Sequence, residues 1–369
     1  MQFTTPVNIK PNKSINHNSR IVMLGSCFAE NIGKKLIECG FNVVMNPMGI
    51  LYNPISIHKA LERIIEGREF TADELFYHNG LWASFMHHGS FSHSDKSEAL
   101  KMMNERLLEA HHQLKNATHL IITFGSSEVY EHDGQVVANC HKLPSRQFTH
   151  RLLSINEITT QYCPPVLEQS TENLTTQYCP PASEQSTENL TTQYCPPASE
   201  QSTESLASKY CPPVLGGRAV GGGGQTLLTP NSSLLTIFTI SPVRYLGEGA
   251  HHGQINKATL LLATDQICRE TGADYFPSYE IMMDELRDYR YYTPDMIHPS
   301  EVAIDYIFER FTTTYLTEEA IRTAEEIKKI KKSLSHRPLH PDSEEYQKFK
   351  KKLSQQIDMI TEKYPNIKL

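Results

Sequence analysis

Short apolar runs bounded by turn residues alternate with stretches of helical spacing along most of this chain, a pattern that predicts an α/β domain. Ile21-Val22-Met23-Leu24 is apolar at every residue, as a strand buried on both faces must be. Gly25-Ser26-Cys27 follows as a turn. Phe28, Ile32 and Leu36, four apart, then give one face of a helix that Gly40 closes. Phe41 to Met45 predicts a second strand. The runs His119 to Phe124 and Leu234 to Ile240 predict two more. Helices are predicted over 97–116, on Leu100, Met103, Leu107 and Leu114, and over 254–270, on Ile255, Ala258, Leu262 and Ile267. The expected arrangement is a parallel sheet covered by helices.

Two stretches depart from this alternation. Tyr162-Cys163-Pro164-Pro165 returns at Tyr178, Tyr194 and Tyr210, every 16 residues, with near-identical Glu-Gln-Ser-Thr-Glu text between copies. Each copy carries paired prolines and few apolar groups, too little buried surface to offset the entropy of ordering. Gly216-Gly217 and the run Gly221 to Gly224 extend the stretch, so residues 159–233 read as a disordered insert. Near the C-terminus, Ile321, Ala324, Ile327, Ile330 and Leu334 form one stripe and Tyr346, Phe349, Leu353, Ile357 and Ile360 another, with prolines at 338 and 341 between them. That is a helical hairpin with Lys- and Glu-rich outer faces. The predicted organisation is a main domain over 1–316, interrupted at 159–233, followed by the hairpin over 317–369.

Composition narrows the class. Of the 369 residues 39% are hydrophobic and 21% charged, within the globular range, and no run of about 18 apolar residues is present to span a bilayer. The opening residues lack the basic and apolar regions of a secretory signal, so a cytoplasmic location is expected. Net charge is -7, and six Glu against one Lys within 159–215 make most of it local. Nothing basic is left to mark a nucleic-acid or membrane-binding protein. Four of the eight cysteines are copies within the repeat, and Cys27, Cys39, Cys140 and Cys268 form no CxxC pair, so reduced thiols are expected.

In an open α/β sheet the ligand crevice lies beyond the carboxyl ends of the strands. Ser26 sits there, opening a helix whose free N–H groups and dipole favour a developing oxyanion, or simply capping that helix. Asp295-Met296-Ile297-His298 places an acid three residues before a histidine, close enough for Asp295 to fix the imidazole while His298 exchanges a proton with Ser26. The bland alternative is an Asp that caps the turn before the helix of Ile304, Ile307 and Phe311. Cys27 is the competing nucleophile, since a thiol at a helix N-terminus is acidified. Arg244, closing the fourth strand, points either to a substrate anion or to an ion pair with Glu128, Asp284, Glu285 or Asp288. The 17 histidines include His87-His88, His111-His112 and His251-His252, yet no HExxH spacing appears and adjacent histidines diverge, so no metal is expected. Gly247-Glu248-Gly249-Ala250-His251-His252-Gly253 misses the GxGxxG phosphate loop by one place.

Gly25-Ser26-Cys27-Phe28-Ala29 spells the signature of the GSCFA domain family, which is grouped with the SGNH/GDSL-type hydrolases. The chain resembles that family further at Asn46-Pro47-Met48-Gly49, Thr123-Phe124-Gly125, Asn139-Cys140-His141-Lys142, Ser241-Pro242-Val243-Arg244 and Tyr275-Phe276-Pro277. The resemblance implies a flavodoxin-like, three-layer α/β/α SGNH-hydrolase fold with Ser26, Asp295 and His298 as the catalytic set. It also implies an oxyanion hole of the Ser26 N–H, a glycine and an asparagine, with Gly49 in the glycine's place. The family-group asparagine block is replaced here by Gly125-Ser126-Ser127-Glu128, so Ser126 or one of Asn46, Asn53 and Asn139 stands in for the missing amide. The expected activity is that of an esterase or acyl transferase, free of cofactor and metal, acting through an acyl-serine on a small-molecule or carbohydrate ester. A non-catalytic binding protein on the same fold is the second expectation.

Overall fold

The computed structural model describes residues 5–163, 234–335, 343–364 and 367. The chain divides into two units, one of Met1–Pro164 with Gln225–Leu369 and the other of Pro165–Gly224. The repeat from 164 onward, and with it the expected disordered insert, lies outside the described residues.

The centre of the first unit is a five-stranded, all-parallel sheet: β1 (Arg20–Gly25), β2 (Asn42–Met45), β3 (His119–Phe124), β4 (Leu235–Ile240) and β5 (Asp274–Phe276). The spatial order is β2-β1-β3-β4-β5. The strands are mostly apolar because both faces are covered, and β3 is buried at all six positions. Alternation sends Val22, Leu24, Ile122, Phe238 and Ile240 to one face. There they meet α2 (Pro54–Glu66), α3 (Lys96–Lys115), α4 (Ile155–Tyr162) and α5 (Gly249–Thr271). Ile21, Met23, Ile121, Ile237 and Phe276 face the other way, against α1 (Cys27–Glu38) and α6 (Glu301–Tyr315). Three layers result, and each large apolar side chain removed from water contributes about 1.5–3 kcal/mol.

The sequence-predicted strands and helices recur within one to five residues of their expected ends. Helix α4 continues to Tyr162, past residue 159 where the insert was expected to begin. Its Ser154-Glu157 capping box and the burial of Ile158, Thr159 and Tyr162 hold it, and the Tyr162 hydroxyl donates to Pro54 O at 2.7 Å. Two small antiparallel pieces carry no strong period in the sequence: the hairpin Phe76–His78 with Leu81–Ala83, and Glu128–His132 flanked by Gln135–Val137 and Thr149–Leu152. Helices α7 (Glu318–Leu334) and α8 (Glu344–Lys363) form the C-terminal hairpin. Ala320 and Ala324 seat α7 on the main core, whereas Ile327 and Ile330 meet Leu353 and Ile360 of α8. Among the described residues, no helix is long and apolar enough to cross a membrane.

Strand order fixes where a ligand enters. From β1 the chain passes outward to β2 and then returns to β3 on the opposite side of β1, so the connections diverge at the carboxyl ends of β1 and β3. A crevice at that divergence is a geometric consequence of the topology.

Candidate active site

Ser26 lies at that point. Gly25, the last residue of β1, has φ +138°, and a Cβ there would stand 2.1 Å from Thr123 O, so no other residue fits the turn. The Gly25 N–H donates to Asn46 Oδ1 at 2.9 Å and the Ser26 N–H to Thr123 O at 3.2 Å, which ties the turn to both neighbouring strands. Ser26 caps α1, its Oγ accepting from the Phe28 N–H at 3.3 Å, and is only 1% exposed. Ser26 is thus a helix cap, as one of its two sequence readings has it, and it also lines a cavity.

The Asp295–His298 segment forms a tight turn outside regular structure. Thr293 N–H donates to His298 O at 2.8 Å and Met296 N–H to Thr293 O at 2.9 Å, with Met296 in the left-handed region at φ +59°. Asp295 Oδ1 accepts from Thr293 Oγ1 (2.6 Å), Ile297 N–H (2.8 Å) and His298 N–H (3.0 Å). Asp295 Oδ2 lies 2.7 Å from His298 Nδ1. The Thr293 hydroxyl, the two backbone N–H groups and the imidazole together hold the Asp295 carboxyl well below the usual carboxylate range. With Nδ1–H directed to Asp295, the lone pair of neutral His298 rests on Nε2.

His298 and Ser26 line one cavity of about 510 Å³, together with Tyr52, Asn53, Gly125 and Asn139. Gly125 is wedged there, a Cβ on it falling 3.2 Å from Ser26 Cβ and 3.1 Å from the Tyr52 ring. The Gly125 and Ser126 N–H groups both donate to Tyr52 O, at 2.8 and 3.0 Å. Ser126 Oγ accepts from Glu128 N–H and Asn256 Nδ2. Gly49 lies elsewhere: its N–H donates to Asn46 O at 2.8 Å, and it packs against His88 instead of lining the cavity. Among the three asparagines, Asn46 is buried with its Nδ2 unpartnered, but it too lies off the cavity lining. Asn139 lines the cavity and accepts from the His141 N–H through Oδ1. Asn53 caps α2 through Oδ1, accepting from Ser56 N–H at 2.8 Å, and lines the cavity together with Tyr52 and Ser26.

Arg244 lines the cavity and, among the described residues, pairs with none of the four expected acids. Its N–H donates to Ile297 O at 3.0 Å and Nη1 to Met296 O at 3.1 Å, so it grips the turn that carries His298. The four candidate acids are engaged elsewhere, Glu128 with His150 and His252, Asp284 with Arg287, Glu285 with Arg310 and Asp288 with Arg290. Cys27 lines the cavity as well, but burial pushes its thiol up, opposing the thiolate a nucleophile needs.

Lys257 is a residue the sequence reading passed over. It is buried, donating to Gly125 O and Ser241 O, each at 2.8 Å, and so joins the carboxyl ends of β3 and β4. Burial pushes its ammonium down to about 7. The stripe expected from the sequence misled here: Ile255, Ala258 and Leu262 are exposed, and Gly253, Asn256, Lys257, Leu260, Ala263, Thr264 and Ile267 make the inner face of α5.

Comparison with known proteins gives a family and no individual relative. No curated protein and no solved structure matches the chain. The family model for the C-terminal domain of GSCFA domain proteins matches residues 327–369. The model of the GSCFA family matches residues 20–174 and 224–311, which hold Ser26, Asp295 and His298, and the chain belongs to that family.

Proposed function

We propose that the protein is a serine hydrolase of SGNH type, an esterase or acyl transferase acting on O-acylated substrates, carbohydrate esters among them. One observation carries this reading: a buried serine at the end of β1 shares a cavity with a histidine whose Nδ1 is held by an aspartate at 2.7 Å. In the first half-reaction His298 Nε2 takes the Ser26 hydroxyl proton as Oγ bonds to the ester carbonyl carbon. The tetrahedral oxyanion collapses, the C–O bond to the alcohol breaks, and the imidazolium delivers its proton to the departing oxygen. Water or a second hydroxyl then repeats the sequence on the acyl-serine and restores Ser26. Asp295 orients the imidazole and balances its positive charge.

The Asn53 amide is the oxyanion donor this reading favours, supported by the first-turn dipole of α1. The Ser26 and Gly49 N–H groups already donate to Thr123 O and Asn46 O, an observation that favours the second reading, a ligand-binding protein on the same scaffold. Labelling the full chain with a fluorophosphonate probe separates the two. The hydrolase reading expects a covalent adduct at Ser26 that is lost in Ser26→Ala; a folded wild-type protein that takes no label overturns it.

A further inference from the structure

A second cavity of about 240 Å³ adjoins the first. Tyr279, Met282, Met283, Leu286, Tyr289 and Tyr292 line it, and Arg244, Tyr245 and Leu246 line both cavities. Three features set it apart from an ordinary packing gap. Its floor comes from a π turn, Ile281–Glu285, in which the Leu286 N–H donates to Ile281 O at 3.0 Å. Such turns cost regular helix bonds and recur at functional sites. Its wall includes Lys257, a buried amine that donates to two backbone carbonyls and has no carboxylate partner among the described residues. Finally, Arg244 lies over the rings of Tyr292 (5.6 Å) and Tyr289 (5.8 Å) while donating to Met296 O, so one side chain touches both this cavity and the turn of His298.

We propose that this cavity is the acyl-binding site, taking an apolar acyl group of medium length. The proposal rests on the hydrolase reading. Tyrosine rings and methionine thioethers offer apolar surface that adapts to a flexible chain, whereas a sugar ring would need a denser set of polar partners. A cavity of about 240 Å³ takes a chain of several carbons, and octanoyl is the length on which the preference is tested. Arg244, which lines both cavities, also favours the carboxylate formed on hydrolysis. An acyl chain seated there packs beneath Arg244, so chain length is felt at His298 through the Met296 carbonyl.

The test uses full-length protein with p-nitrophenyl acetate, hexanoate, octanoate and dodecanoate, and sodium octanoate binding by calorimetry. Wild type should prefer the octanoyl over the acetyl ester by at least tenfold in kcat/KM, with a fall at dodecanoyl. Met283→Trp, which fills the cavity, should cut that ratio at least tenfold. Tyr289→Ala, at an exposed rim position where folding is not at stake, should weaken octanoate binding severalfold. Octanoate binding should persist in Ser26→Ala. A chain-length preference unchanged by Met283→Trp and Tyr289→Ala overturns the acyl site while leaving the hydrolase reading intact. Octanoate binding sensitive to both variants, with no ester turned over and no label at Ser26, overturns the hydrolase reading and leaves an apolar-carboxylate site. Absence of both binding and preference overturns the proposal.

Discussion

Ser26 and His298 face one cavity, but they are held there by different means. Ser26 belongs to the sheet: it is 1% exposed and locked by Gly25 to β3 and by Asn46 to the β2 side. The His298 side chain is about half exposed, with a relative accessibility of 49%, on a turn fixed by Asp295, Thr293 and Arg244 and by no strand or helix. The position of Ser26 is thus a by-product of global stability. The position of His298 depends on a handful of polar contacts that contribute little to the fold, so damage to the two halves should separate in experiment.

The harshest break of that contrast is on the sheet side. Gly25→Ala forces a Cβ onto Thr123 O and should cost at least about 4 kcal/mol, read by urea unfolding, with activity lost because the fold is lost. Asp295→Asn attacks the other half, lowering ester turnover by about a thousandfold or more while the melting temperature stays within a few degrees. A parallel loss of stability would refute the separation. Asn53→Ser keeps an oxygen to cap α2 but deletes the amide donor, so kcat should fall roughly a hundredfold with little change in stability. If Asn53→Ser matches wild type in kcat, the oxyanion donor is another group. Arg244→Met removes the grip on Met296 O but keeps the backbone bond to Ile297 O, and should lower kcat about tenfold with the pH profile displaced.

Acid sharpens the same comparison most gently. Burial lowers His87 to about 3 and His119 to about 4, so between these values and about 6.5 the unfolded chain binds protons that the folded chain refuses. Stability therefore falls as pH drops below 6.5, on the order of 1 kcal/mol per histidine by pH 5.5. Asp295 stays ionised through that range, its carboxyl being held low. Urea titrations at the two pH values should show the sheet-bearing body weakening; a flat profile would mean that both histidines ionise without loss.

Much of the fold was legible in the residues. At β1–α1 an unbroken apolar run, a Gly-Ser turn and apolar positions four apart all fall within sixteen residues and agree with one another. The accessory strands at 76–83 and 128–152 were not legible, being three to five residues long and only partly buried, so no period develops. In the candidate site, Ser26, Asp295 and His298 were found as short motifs, because each motif carries its own local hydrogen bonds. Asn53 was named among the candidate amides, whereas Lys257 and the grip of Arg244 on the Met296 carbonyl were passed over. Asn53 looks like a helix cap and is one, and it lines the cavity as well. Lys257 and Arg244 act on carbonyls 132 and 52 residues away, and nothing local encodes those pairings.

By itself the sequence determined the alternation of strands and helices, the glycine that β1 needs before Ser26, and the acid three residues before His298. Each follows from sterics or spacing within one or two turns of chain. Only the tertiary structure decided that Ser26 and His298 meet in one cavity, that Gly49 turns away from it, and that Lys257 and Arg244 point inward to backbone carbonyls. Those outcomes depend on strand order and on how α5 and the loop after β4 settle on the sheet. Packing of distant apolar faces sets that arrangement, and the polar groups it brings together carry no mark of one another in the chain.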